Sequence, residues 1–258
     1  MKTLLSNLEA SCRVHAKKAI GSATIVYSKE GNTFALTNHH VIEDNIEYKD
    51  EWDNILKREI KKEFLSPVEI LFPKIEEDDV TGYNTRLADI VTYSKEQDIA
   101  LLKVKSKDGY PSVPLYPRKE TRNIKALVPL GVIGAALGET PVFTEGKLQT
   151  KQKIIDNYEY WLSSALSIYG NSGGGVFTPH EGEWKFIGIP SRIAVTGGWS
   201  AQAITHLGYF IPPYRIYDWL EVECYQFIFD DEFTPESCED LRETTKHQKR
   251  MEMLTKIG

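Results

Sequence analysis

Three short stretches carry residue types that together could break an acyl bond. LTNHHVI (Leu36–Ile42) ends an apolar run on two adjacent histidines, His39 and His40. SKEQDIALLKV (Ser94–Val104) opens a nearly continuous apolar run with Asp98. An acid at the mouth of a buried strand is costly unless its charge is satisfied. IYGNSGGGVF (Ile168–Phe177) sets Ser172 before three glycines, which let a backbone turn sharply and approach a ligand closely. A histidine base, an orienting carboxylate and a serine nucleophile are the parts of a nucleophilic hydrolase. Each stretch alone has a plainer reading, as a strand-end histidine, a turn aspartate and a glycine turn. It is the set, in the order His, Asp, Ser, that points to chemistry.

The parts lie far apart in the chain, so separate strands or loops must bring them together. Around them run short β-like segments divided by turn residues: SATIVYS and TFALTNHHVI across KEGN, then VEILFP, LADIVTY and DIALLKV. A Pro-rich stretch, Tyr110–Asn123, reads as a linker. The second half repeats the texture with ALVPLGVIGAAL, TPVFTEGKLQT, EYWLSSALSI, GNSGGGVF, EWKFIGIPSRIAV and LGYFIPP. Many short strands with frequent Gly and Pro turns predict an all-β barrel or sandwich. Three exceptions are predicted helical. Thr3 to about His15 has Leu4, Leu5, Leu8 and Cys12 at helical spacing. Asn45–Phe64 places Trp52, Ile55, Leu56, Ile60 and Phe64 at three- to four-residue steps among charges. Pro212 and Pro213 open YRIYDWLEVE, and the charged end of the chain reads as a helical or frayed tail.

Composition bounds the partners. The net charge of −6 over 258 residues disfavours a general nucleic-acid binder. The cluster Lys57, Arg58, Lys61 and Lys62 alternates with acids and reads as a solvated face. Three cysteines, Cys12, Cys224 and Cys238, make no framework of pairs and suit a reducing compartment, so the protein is expected to be cytoplasmic. No apolar segment reads as a signal peptide or membrane span. There is no CxxC or HExxH pattern, and no metal or other cofactor is expected.

Taken together, GSATIVYSKEGNTFALTNHHVI, LADIVTYSKEQDIALLKV, YGNSGGGVF, FIGIPSRIA and GYFIPPYRIYDWLE resemble the chymotrypsin-fold (trypsin-like) serine peptidases. Within that group the chain is most similar to the high-temperature-requirement (HtrA, Deg-type) branch, over roughly Gly21 to Glu221. It departs in four ways. Gly175 stands where many relatives carry Pro, the segment between Val41 and Asp98 is enlarged, Tyr169 precedes the Gly-Asn-Ser turn, and no PDZ-like region follows. The resemblance implies two six-stranded antiparallel β-barrels. It divides the chain into a helical lead-in (1–18), a first barrel (19–115, with the helical insertion at about 45–64), a second barrel (116–222) and a C-terminal extension (223–258).

The same resemblance implies roles. His40 is the base, since the family histidine directly precedes the Val of its Thr-Asn-x-His-Val motif. On a strand, neighbouring side chains face opposite ways, so His39 is expected to point into packing or solvent. Asp98 orients the imidazole, Ser172 attacks the carbonyl, and the N–H groups of Gly170 and Ser172 form the oxyanion hole. The substrate pocket is expected at Leu166, six residues before the nucleophile, with Ile189, Ser191 and Phe210 (or Tyr209) lining it. An apolar Leu166 predicts cleavage after apolar residues of a polypeptide substrate, and no zymogen cleavage step is expected. Three rivals remain. GNSGG also satisfies the G-x-S-x-G elbow of α/β-hydrolases, but three glycines and then Pro179 make a poor helix start. A metal site through His39, His40 and His180 is disfavoured by the facing of adjacent residues. A catalytically silent, peptidase-like binding module is the main alternative.

Overall fold

The computed structural model describes residues 2–53, 57–77, 79–105, 107, 109–197 and 202–255. After helix α1 (Lys2–Glu9) come strands β1 (Ser11–His15), β2 (Ile20–Lys29) and β3 (Asn32–Thr37). A one-turn helix α2 (His39–Ile42) leads to a hairpin of β4 (Ile46–Asp53) and β5 (Arg58–Leu65). Then follow β6 (Val68–Glu76), β7 (Asp79–Ser94) and β8 (Ile99–Val104). The second half has β9 (Pro129–Gly134), β10 (Val142–Ile155), β11 (Tyr158–Ser163), β12 (Gly175–His180), β13 (Glu183–Val195) and β14 (Ala203–Ile211), then helices α3 (Pro213–Val222) and α4 (Pro235–Thr255).

Two closed antiparallel barrels result, β1-β2-β3-β8-β7-β6 and β10-β11-β14-β13-β12-β9. Closure leaves no unpaired sheet edge, which is how a chain of short strands satisfies its backbone groups. Inward residues such as Ile25, Leu36, Ile70 and Leu101 fill the first barrel. Leu130, Val132, Leu148, Trp161, Val176 and Ile187 fill the second. The stretch from Tyr110 to Asn123 is the connector: Val113 N–H donates to Ile25 O at 2.9 Å and Tyr116 N–H to Phe186 O at 3.1 Å, one contact on each barrel.

Several expectations are corrected. The insertion is a β-hairpin, not a helix. Its register sets Tyr48 against Glu63 and Asp50 against Lys61, with Lys62 Nζ 2.8 Å from Glu51. Both faces of this two-stranded sheet are largely solvated, so its strands lack the alternation that marks a half-buried strand, and the scattered apolar residues imitate a helical period. Residues 54–56, two of which carried that helical reading, lie outside the described residues. The lead-in helix also stops earlier than expected. Ser11 Oγ donates to Asn7 O at 2.8 Å at its end, and β1 then pairs with β2 and β6. Ser11–His15 therefore belongs to the first barrel, with Cys12 and Val14 buried on its core side. Cys12, Cys224 and Cys238 are all free thiols. No described helix is long and apolar enough to cross a membrane.

Candidate active site

His40 lies on α2, just beyond β3, and Asp98 directly precedes β8, which pairs with β3. The two are therefore held at one end of neighbouring strands. Asn38 tightens the junction by donating its side-chain amide to Asp98 O at 2.8 Å. The Asp98 backbone is left-handed, φ 59°, a conformation Asp tolerates better than most residues.

The Asp98 carboxylate accepts the His40 ring Nδ1–H with both oxygens at 2.9 Å and the His40 backbone N–H at 3.1 Å. Ser191, from β13 of the other barrel, donates its hydroxyl to Oδ2 at 2.6 Å. A carboxylate can only accept, so Nδ1 carries a proton, and in the neutral imidazole that leaves the lone pair on Nε2. Burial pushes the Asp98 pKa up. The hydrogen bond and charge of His40, with the Ser191 hydroxyl and the His40 N–H, outweigh it and hold the carboxyl below its ordinary value. A buried charge so satisfied stays ionised across the neutral range.

Ser172 and His40 line one cleft of about 340 Å³, with Ser167, Ile168, Tyr169 and residues 190–193 as walls. The turn carrying Ser172 is clamped from both barrels. Ser22, on β2, donates its backbone N–H to Ser172 O at 2.8 Å and its hydroxyl to Gly170 O at 2.7 Å, and it accepts the Ala135 N–H at 2.8 Å. Gly170 and Gly173 adopt φ of 96° and 86°. A Cβ at Gly173 would lie 2.0 Å from Ser22 O, and one at Gly170 2.3 Å from Ala135 O, so neither position admits a side chain without displacement. The Asn171 N–H is spent within the turn, donating to Ile168 O at 3.1 Å. Among the described residues, the N–H groups of Gly170 and Ser172 donate to no backbone carbonyl outside the regular ladders.

His39 does not share the cleft. It is buried, its ring lies 5.2 Å from that of Tyr93, and it lines a separate groove. The expected divergence of the two histidines holds, but its cause differs: they follow one another on a helical turn, about 100° apart, not on a strand. Burial also lowers the His39 pKa.

The expected pocket residues fare less well. Leu166 is not among the residues lining the cleft, and its carbonyl accepts the Thr144 hydroxyl at 2.8 Å; the neighbouring Ser167 forms the wall. Ile189 is fully buried in the core, because its side chain faces inward on β13. Phe210 packs edge-on against Trp161 and reaches only a cavity of about 10 Å³ beneath the cleft, shared with Val132, Ser163, Ser167, Val176 and Tyr209. Ser191 does line the cleft, but its hydroxyl is committed to Asp98. Sequence reasoning missed Ser22, Ser167 and Arg192, the last a cleft-wall residue whose guanidinium is paired with Asp156 at 2.8 Å. Only the Gly-Ser pair before the apolar run hinted at the first.

A family description, "Trypsin-like peptidase domain", matches residues 21–189. The chain belongs to the trypsin-like peptidase family. That span runs from β2 through the turn at Ser172 into β13, so it contains His40, Asp98, Ser172 and Ser22 together. No match was found among curated proteins. Membership in the trypsin-like peptidases carries a serine-peptidase type of function and a polypeptide substrate, and the two closed barrels are the chymotrypsin-like architecture.

Proposed function

We propose that this trypsin-like peptidase is a serine endopeptidase of the Deg-type branch, working through His40, Asp98 and Ser172 and preferring apolar residues. The observation that carries the reading is the His40–Asp98 pair, with both carboxylate oxygens 2.9 Å from Nδ1, opening on the cleft that holds Ser172. With Nδ1 protonated, Nε2 is the acceptor for the Ser172 hydroxyl proton as Oγ attacks the scissile carbonyl. Asp98 stabilises the imidazolium that forms. The N–H groups of Gly170 and Ser172 take the oxyanion, a contribution of about 10²–10³ in rate per donor. Collapse of the tetrahedral intermediate passes the proton from Nε2 to the leaving amine and leaves an ester on Ser172. Water, deprotonated by the same nitrogen, attacks that ester and regenerates the hydroxyl.

The apolar preference rests on the walls. Among the described residues no carboxylate lines the cleft or the small cavity beneath it, so a substrate Lys or Arg would be desolvated without a counter-charge. Three free thiols, two of them buried, favour a reducing compartment such as the cytosol. Assignment to the Deg-type branch rests on the Thr-Asn-x-His-Val and Asp-Ile-Ala-Leu-Leu-Lys-Val segments.

The deciding experiment profiles cleavage of a proteome-derived peptide library by wild type and by Ser172→Ala, alongside fluorophosphonate labelling. Labelling confined to Ser172, with cuts after apolar residues, is expected. Folded wild-type protein that neither labels nor cuts would instead identify a binding module.

A further inference from the structure

A second concavity, wider than the catalytic cleft, lies on the other side of α2. It is a groove of about 960 Å³ between the β4–β5 hairpin, the turn before Asp98, and α3. His39 lines it while His40 lines the cleft, so α2 forms a partition between the two.

Its walls combine aromatic faces with carboxylates. Tyr48, Tyr93, Tyr158, Tyr214 and Trp219 supply the rings. The hairpin is fastened there: the phenols of Tyr48 and Tyr93 both donate to Glu63, the former at 3.0 Å. The groove thus owes one wall to the inserted hairpin. Six carboxylates line it against two basic side chains, Lys95 and Arg215. Arg215 offers no counter-charge to a ligand, since its guanidinium is buried over Tyr158 and Tyr160 and donates to Glu159 O at 2.8 Å and Gln97 O at 3.3 Å. Asp44 is already paired with Lys18, and Asp218 with Arg118. Glu43, Glu96 and Glu223 line the groove with no cation partner among the described residues. Two buried donors on lining residues, Trp219 Nε1 and Arg215 Nε, also have no acceptor there, although both residues are more than nine-tenths buried.

We propose that this groove is a non-catalytic docking site for a Lys/Arg-rich segment of a polypeptide. Ring faces and carboxylates together hold ammonium and guanidinium groups by charge and by attraction to the π-system. A negatively charged or purely apolar segment would meet the carboxylates unpaired.

The test is fluorescence anisotropy of labelled hexalysine against the full chain at low salt, a measurement that does not depend on hydrolysis. The triple variant Glu43→Gln, Glu96→Gln, Glu223→Gln is expected to bind about tenfold or more weakly, equivalent to about 1.4 kcal/mol. A control triple, Glu145→Gln, Glu183→Gln, Glu239→Gln, removes the same charge from exposed positions outside the groove and is expected to stay within about twofold of wild type. Both triples are checked by thermal melting for an unchanged fold. The proposal is overturned if wild type shows no binding up to about 1 mM peptide, if both triples weaken alike, or if spermidine binds as tightly as hexalysine. The last outcome would make the groove a site for small polyamines.

Discussion

The side chain of Ser22, in the first barrel, donates to the carbonyl of Gly170, in the second, at 2.7 Å, while its backbone N–H donates to Ser172 O at 2.8 Å. One fully buried residue therefore fixes both ends of the turn that carries Ser172. Ser22→Ala leaves the Gly170 carbonyl and the Ala135 N–H without their buried partner, which costs about 1–3 kcal/mol. We expect a lower urea midpoint, together with a fall in kcat larger than any rise in KM, because the N–H groups of Gly170 and Ser172, the proposed oxyanion donors, flank that carbonyl. An unchanged kcat would remove Ser22 from the positioning of the turn.

His40→Ala is expected to lower kcat/KM by about 10⁴-fold or more. His39→Ala should leave kcat nearly intact and cost stability through lost packing on Tyr93. Equal catalytic losses in the two variants, measured on one peptide substrate, would contradict the division of labour across α2.

The Asp98 pKa gives a pH dependence of known sign. Its folded value lies below the ordinary one, so the ionised group contributes stability that is present above the unfolded pKa. That contribution is lost as pH falls from the ordinary carboxylate range through the lower folded value. Ser191→Ala removes one of the hydrogen bonds that hold the pKa down, and should move the loss to higher pH. Urea midpoints of wild type and Ser191→Ala between neutral and acid pH measure this; parallel curves would count against it.

Gly173→Ala should fold poorly. A Cβ there meets Ser22 O at 2.0 Å and Thr37 Oγ1 at 2.3 Å, on a backbone at φ 86°. Strain of this kind, with displacement of the interbarrel clamp, is expected to cost about 3 kcal/mol or more. Thermal melting checks the magnitude.

Much of the architecture was legible because it is local. The run TFALTNHHVI holds all of β3 but Asn32, DIALLKV contains β8, and Pro213 does open α3. The hairpin does not read as one because Ile46–Asp53 and Arg58–Leu65 expose most of their side chains, so burial leaves no period of two in its sequence. The strand Ser11–His15 was hidden for a different reason: five residues next to a true helix were absorbed into its spacing.

The sequence by itself determined which residue types are present for chemistry, their order, and the family motifs that single out His40, Asp98 and Ser172. Tertiary structure alone decided what stands around them. Ser191 faces Asp98 rather than a substrate, and Ser22 holds the Gly170–Ser172 turn, because strands distant in the chain close into two barrels whose ends abut. Ser167, not Leu166, became the cleft wall for a similar reason. Which of two neighbouring residues faces a cavity depends on local backbone dihedrals, and here these are set by hydrogen bonds such as Ser167 N–H to Thr205 O at 2.8 Å, from a strand far along the chain.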